Sequence, residues 1–219
     1  MKYGQKGFTL VEIAIVLVII GLLLGGILKG QEMITQAKIK NVVADFSGIS
    51  AAYYGYQDRY RAIPGDDPNA DTRWTGAFKG NGNGQVEGTY NNGGAGCPTT
   101  LTSSSPETCQ WWDHLRRAGF VSGSGGGNPF NAVTGMLGVQ TGNGSGSTAL
   151  SGFAGLIVCS AGLPDKIAIA VDTQMDDGAI DKGTVRGQAQ TSPNPAIAAT
   201  ASGAYQETGT NVYTLCRAL

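Results

Sequence analysis

The chain has 219 residues, room for one domain with a real core, or for a domain plus an appendage. Lys and Arg number 15 against 16 Asp and Glu, and only 14% of residues are charged, so no basic face for nucleic acid is encoded. Glycine, at 35 residues, is more than twice its usual ~7% share and shows no collagen-like period, which implies long loops around a small ordered core.

From the N-terminus, Phe8 to Leu28 is a run of 21 residues whose only charge is Glu12. As a helix it would be ~32 Å long, matching the ~30 Å hydrocarbon core of a bilayer. No small-residue cleavage site follows it, and "LKGQEMITQAKIK" continues in a helical pattern, so the run reads as an anchor rather than a secretory signal. Lys2 and Lys6 precede it, which places the N-terminus in the cytoplasm and the bulk of the chain outside. Beyond the span, Ile39, Val42, Phe46, Ile49, Tyr53, Tyr56, Tyr60 and Ile63 alternate three and four apart, a sustained one-sided helical stripe. Pro64-Gly65 stops it. One helix is therefore expected over residues 8–61, with a membrane half at 8–28 and an amphipathic half after it. Gly21, Gly25, Gly26 and Gly30 are the points that would loosen its middle.

Glu12 is the anomaly. An ionisable residue inside a span costs ~2.5–3.5 kcal/mol on insertion scales and marks a function with a partner to name. Nothing else in the span is expected to pair with it. A free α-amine made by cutting the chain before Phe8 would, and best from a neighbouring copy shifted along the axis, where low dielectric strengthens the pair. Glu12 then sets the register between identical helices.

From Ala62 the sequence reads as a head domain, residues 62–219. "PETCQWWDHLRRAGF" is expected as a short helix capped by Gly119, with Arg116 and Arg117 at its negative end. Its His114 is the single histidine of the chain and reads as a packing or surface residue, not a base. "FAGLIVCS", "KIAIAVDTQ" and "TNVYTLCRA" read as strands, the last with Val212, Thr214 and Cys216 on one face. An antiparallel sheet lying on the helix stripe would bury both apolar surfaces, giving an α+β fold. "VSGSGGGNPFNAVTG" and "QTGNGSGSTALSG" read as exposed loops. The four cysteines form no CxxC pair, so zinc is not indicated. They allow three pairings, of which Cys97–Cys109 and Cys159–Cys216 are favoured over the others and over buried free thiols. Two polar loops space oxygen donors as a cation site would: Asn81, Asn83, Gln85 and Glu87, and Asp172, Asp176, Asp177 and Asp181. Asp-Gly turns in a hairpin are the preferred reading of both. No nucleophile elbow, metal cluster or catalytic acid pair is present, so an enzyme is not expected and no cofactor beyond calcium is implied.

Lys6-Gly7 followed by Phe8-Thr9-Leu10-Val11-Glu12 and an apolar run resembles the processing site of type IV prepilins and type II secretion pseudopilins, over residues 1 to about 40. The resemblance implies a leader of residues 1–7, cleavage between Gly7 and Phe8 by an inner-membrane prepilin peptidase, and N-methylation of Phe8. The short leader and Phe start are similar to the type IVa class. Gly21 falls where such helices carry a glycine that loosens them in the fibre, while the frequent proline a turn or two later is replaced by Lys29. "YRAIPGDDPNA", "WWDHLRRAGF" and "DTQMDDGAIDKGTVRG" resemble segments of large prepilin-like proteins of Gram-negative bacteria. By resemblance the chain is a filament subunit, a homo-oligomer whose helices form the fibre core, extracted from the membrane by an assembly platform and ATPase. Calcium binding in a C-terminal loop of some pseudopilins points to the Asp172 loop. The two expected disulfides and the large Gly-rich head lean towards a surface pilus over a pseudopilin or a minor pilin. A membrane-tethered extracytoplasmic binding protein that does not polymerise is the alternative from another class.

Overall fold

A 51-residue helix, α1 (Leu10–Tyr60), opens the chain in the computed structural model, which describes residue 7, residues 9–144 and residues 147–219. It ends where Arg61 turns into the left-handed region (φ 55°), just before Pro64 removes a backbone donor. Two compact units divide the chain, Met1–Lys38 and Ile39–Leu219. In the first, the large apolar side chains of α1 up to Leu28 are all between 46 and 85% exposed. In the second, Ile39, Val42, Phe46, Ile49, Tyr53 and Tyr56 are buried, as the three-and-four spacing requires.

The second unit continues with α2 (Ala70–Arg73), a 3-10 turn at Asn92–Gly94 and α3 (Glu107–Arg117). After these come β1 (Leu137–Thr141), β2 (Leu156–Pro164), α4 (Asp165–Met175), β3 (Val185–Ala189) and β4 (Val212–Ala218). Every strand pairing is antiparallel, in the order β1-β2-β4-β3. One face of the sheet shares a core with the α1 stripe, Trp111, Trp112 and Leu115 of α3, and Ile167 and Val171 of α4. This is the α+β layout expected. The other face is covered by Tyr90, Ala149, Leu150, Phe153 and Ile197 around Cys159 and Cys216.

Several local expectations are corrected. "KIAIAVDTQ" is helix α4, not a strand: Ile167, Ala168, Val171 and Asp172 are its buried residues, a one-sided helical set. "QTGNGSGSTALSG" is not simply exposed loop, since it opens in β1 and buries Ala149 and Leu150 completely over the sheet. β1 carries Gly138, where an added Cβ would sit 2.3 Å from the Tyr90 carbonyl oxygen, so the strand needs a residue without β-propensity. The Asp172–Gly187 segment is not a hairpin; it links α4 to β3. In α3 the Gly119 N–H donates to the Arg116 carbonyl (3.0 Å) and the Phe120 N–H to that of Leu115 (3.0 Å). With Gly119 at φ 80°, this is a Schellman cap.

Candidate functional site

Within the span, Glu12 does have a partner in its own chain. The Thr9 backbone N–H and the Thr9 hydroxyl each donate to Glu12 Oε2 at 2.8 Å, and the Glu12 N–H donates back to Thr9 Oγ1 at 3.3 Å. Thr9-x-x-Glu12 is a capping box, which satisfies donors that the first helical turn leaves orphaned. The expectation that nothing internal pairs with Glu12 is thereby corrected: Thr9 does, because a carboxylate at the third helical position reaches back to the cap. Thr9 offers dipoles but no counter-charge, and Glu12 Oε1 has no hydrogen bond among the described residues. Gly7 lies just ahead of the cap; Phe8, the expected cleavage and methylation residue, lies outside the described residues.

Further along α1, a Cβ added at Gly21, Gly25, Gly26 or Gly30 would meet nothing within 4 Å. No packing inside the chain requires glycine there, and each glycine costs the helix ~0.5–1 kcal/mol relative to alanine.

In the head, the pairs Cys97–Cys109 and Cys159–Cys216 are both bonded, the second between directly opposed residues of β2 and β4. His114 is fully buried. The Gly65 N–H donates to its Nδ1 (2.9 Å), so the ring proton sits on Nε2, 2.7 Å from the Phe78 carbonyl that accepts it. Burial pushes its pKa below the ordinary value. Both nitrogens are spent on backbone groups, so His114 is a structural strut. Beside it the Tyr56 hydroxyl donates to Asp67 Oδ2 (2.6 Å), and Arg73 pairs with the same carboxylate, fastening α1 to the Pro64–Arg73 segment.

The Asn81–Glu87 loop turns its backbone donors inward. Asn83 and Gly84 N–H groups donate to Asp66 (3.1 and 2.7 Å), and those of Asn81 and Glu87 to Glu107 (2.9 and 3.0 Å). The Asn81 and Asn83 side-chain oxygens accept N–H groups of their own loop (2.9 and 2.8 Å). This loop wraps the Asp66 and Glu107 carboxylates and is not the expected hairpin turn. In the second acidic loop, backbone N–H groups also reach the carboxylates, those of Thr184 and Val185 donating to Asp176 Oδ2 and that of Ala179 to Asp177 Oδ1. Ligand oxygens of Asp172, Asp176 and Asp177 lie within 4.8 Å of one another, while Asp181 stands outside this group. Asp172 is fully buried; its Oδ2 accepts the Tyr205 hydroxyl (2.6 Å), and its Oδ1 has no well-formed hydrogen bond among the described residues. Burial first, and the Asp176 and Asp177 charges after it, push the Asp172 pKa up.

Thr9 is the functional residue that the sequence reading passed over, although Thr-x-x-Glu before an apolar run is a legible capping signature. No curated protein matches the chain. A family model, the prokaryotic N-terminal methylation motif, matches residues 2–28. That stretch contains Gly7, Phe8, the Thr9–Glu12 cap and the exposed apolar half of α1. The chain therefore carries a prokaryotic N-terminal methylation motif, over the same stretch that resembles the prepilin processing site.

Proposed function

We propose that the protein is a structural subunit of a type IV pilus-like helical filament. The carrying observation is the first half of α1: exposed apolar side chains bearing one carboxylate that has no counter-charge among the described residues, within the methylation motif. In the precursor, lipid covers the apolar surface and the Thr9 cap shields one oxygen of Glu12. Prepilin peptidase cuts between Gly7 and Phe8, and the new, methylated Phe8 amine supplies the missing positive charge to Glu12 of a neighbouring copy. An ion pair at 4 Å is worth ~4 kcal/mol where the effective dielectric is near 20, comparable with the ~2.5–3.5 kcal/mol cost of holding the acid in a span. Pairing therefore roughly cancels that cost only when copies lie side by side in register. The leader, residues 1–7, is removed; α1 up to Leu28 forms the fibre core, and the head forms the wall. An assembly platform and its ATPase lift the subunit from the inner membrane to the cell surface. Gly21, Gly25 and Gly26 let α1 yield as lipid gives way to sister helices.

The test separates this from a tethered binding protein. Glu12→Ala should insert normally yet abolish the long fibres released by shearing, with wild-type fibres starting at methylated Phe8 by mass. Normal fibres from the variant would refute the register role.

Within the head, the buried Asp172 Oδ1, without a well-formed hydrogen bond among the described residues and beside Asp176 and Asp177, favours a divalent cation, calcium by its preference for carboxylate oxygen. Calorimetric titration of the protein in detergent should show calcium binding that Asp172→Asn removes and Asp181→Asn leaves. At a hundredfold excess over Kd the ion would add ~2.7 kcal/mol of stability.

A further inference from the structure

Among the described residues of the head, Tyr54 and Phe130 are the large apolar side chains left exposed, at 56 and 66%. Phe130 stands at the rim of a cavity of about 310 Å³ between α1 and the segment after α3. Ala44, Asp45 and Gly48 of α1 line it together with Trp112 and Phe120. It sits at the small end of ligand-binding cavities and suits one aromatic side chain better than a free ligand. One polar group on its lining lacks a partner. The half-buried Asp45 carboxylate has no hydrogen bond or ion pair among the described residues, and burial pushes its pKa up.

Tyr54 can answer it. Its ring is exposed, and its hydroxyl, unbonded among the described residues, can donate to the Asp45 carboxylate. It cannot serve its own cavity. At about 100° per residue, with the Val42–Phe46–Ile49–Tyr53–Tyr56 stripe pointing inward, Tyr54 projects about 120° to one side and Gly48 about 120° to the other. A knob on one flank of a helix and a hole on the opposite flank define a heterologous contact, which repeats from copy to copy without closing.

We propose that Tyr54 of one subunit docks into the Asp45–Gly48–Trp112 cavity of the next. The proposal rests on the filament reading and gives its head contact. Gly48 and Tyr54 are six residues apart, so the receiving copy is shifted towards the C-terminal end of the helix by ~9 Å.

Gly48 supplies the decisive variant, because a Cβ there meets nothing within 4 Å. Gly48→Leu fills the cavity from an open position and improves helix propensity, so the protein should fold with an unchanged or higher Tm in detergent. Sheared fibre from it should fall at least tenfold. Wild-type amounts of fibre from Gly48→Leu would overturn the proposal while leaving Glu12 pairing intact. As a direct readout, p-benzoylphenylalanine at position 54 of the full chain should crosslink fibres into ladders, with adducts mapping to residues 44–48 or 112–130 of another copy. Adducts elsewhere, or only within one chain, would equally overturn it. A wild-type chain that makes no fibres at all would instead remove the filament reading, and this contact with it.

Discussion

Leu17 and Phe46 belong to the same helix, yet Leu17 is 64% exposed and Phe46 fully buried. Up to Leu28, α1 is apolar on every side apart from Glu12, and its large apolar side chains are exposed among the described residues, as a surface facing lipid would be. After Ile39 it is apolar on one side and answers to α3, α4 and the sheet. Glycine marks the same divide. At Gly26 an added methyl meets open space, whereas at Gly55 it would sit 2.8 Å from the Phe120 ring. One half of the helix is thus specified by folding, and the other, on the filament reading proposed above, by assembly.

Truncating one apolar side chain in each half is the sharpest way to break this comparison. Phe46→Ala should destabilise the head by about 3–5 kcal/mol, since the core around it cannot fully collapse. Leu17→Ala should leave the urea midpoint of the same protein in detergent unmoved and lower fibre yield instead. Equal losses of stability from both would show that the two halves of α1 do not divide the work as described.

How much of this was legible in the sequence follows the same divide. The two halves of α1 could be read because periodicity persists over many turns, and the disulfides because Cys97–Cys109 staples a Thr/Ser/Pro loop and Cys159–Cys216 ties the C-terminus to a central strand. "KIAIAVDTQ" misled because a short apolar run looks alike as a buried strand and as a buried helix, and the choice lay with Pro164 and Asp165 at its start. The Asn81–Glu87 loop misled for a tertiary reason: its shape is dictated by Asp66 and Glu107, which lie outside it in the sequence. Glu12 was visible as an anomaly, but attention to the membrane hid the ordinary helix cap at Thr9. The Tyr54 flank could not be distinguished from any solvated helix face until the cavity on the opposite flank was seen.

The smallest effect concerns pH, and it belongs wholly to the folding half. Neutral His114 holds Gly65 and Phe78 through both ring nitrogens, and burial keeps its folded pKa below the ordinary ~6.5. The unfolded chain takes up a proton from about pH 6.5 downward, before the folded chain does, so this group's contribution is present at neutral pH and lost as pH falls. The slope is at most ~1.4 kcal/mol per pH unit for one proton. Glu107 and Asp172 act with the opposite sign. Burial raises their folded pKa, so their contribution is fully present below the ordinary carboxylate range and fades as pH rises through the folded values. The wild-type profile therefore mixes the two trends, and His114→Gln separates them. Urea unfolding at about pH 7.5, 6.5 and 5.5 should show a shallower acid-side loss in the variant, even though its stability at neutral pH is lower. An unchanged slope would mean that the folded and unfolded chains protonate His114 alike, so that burial does not hold its pKa down.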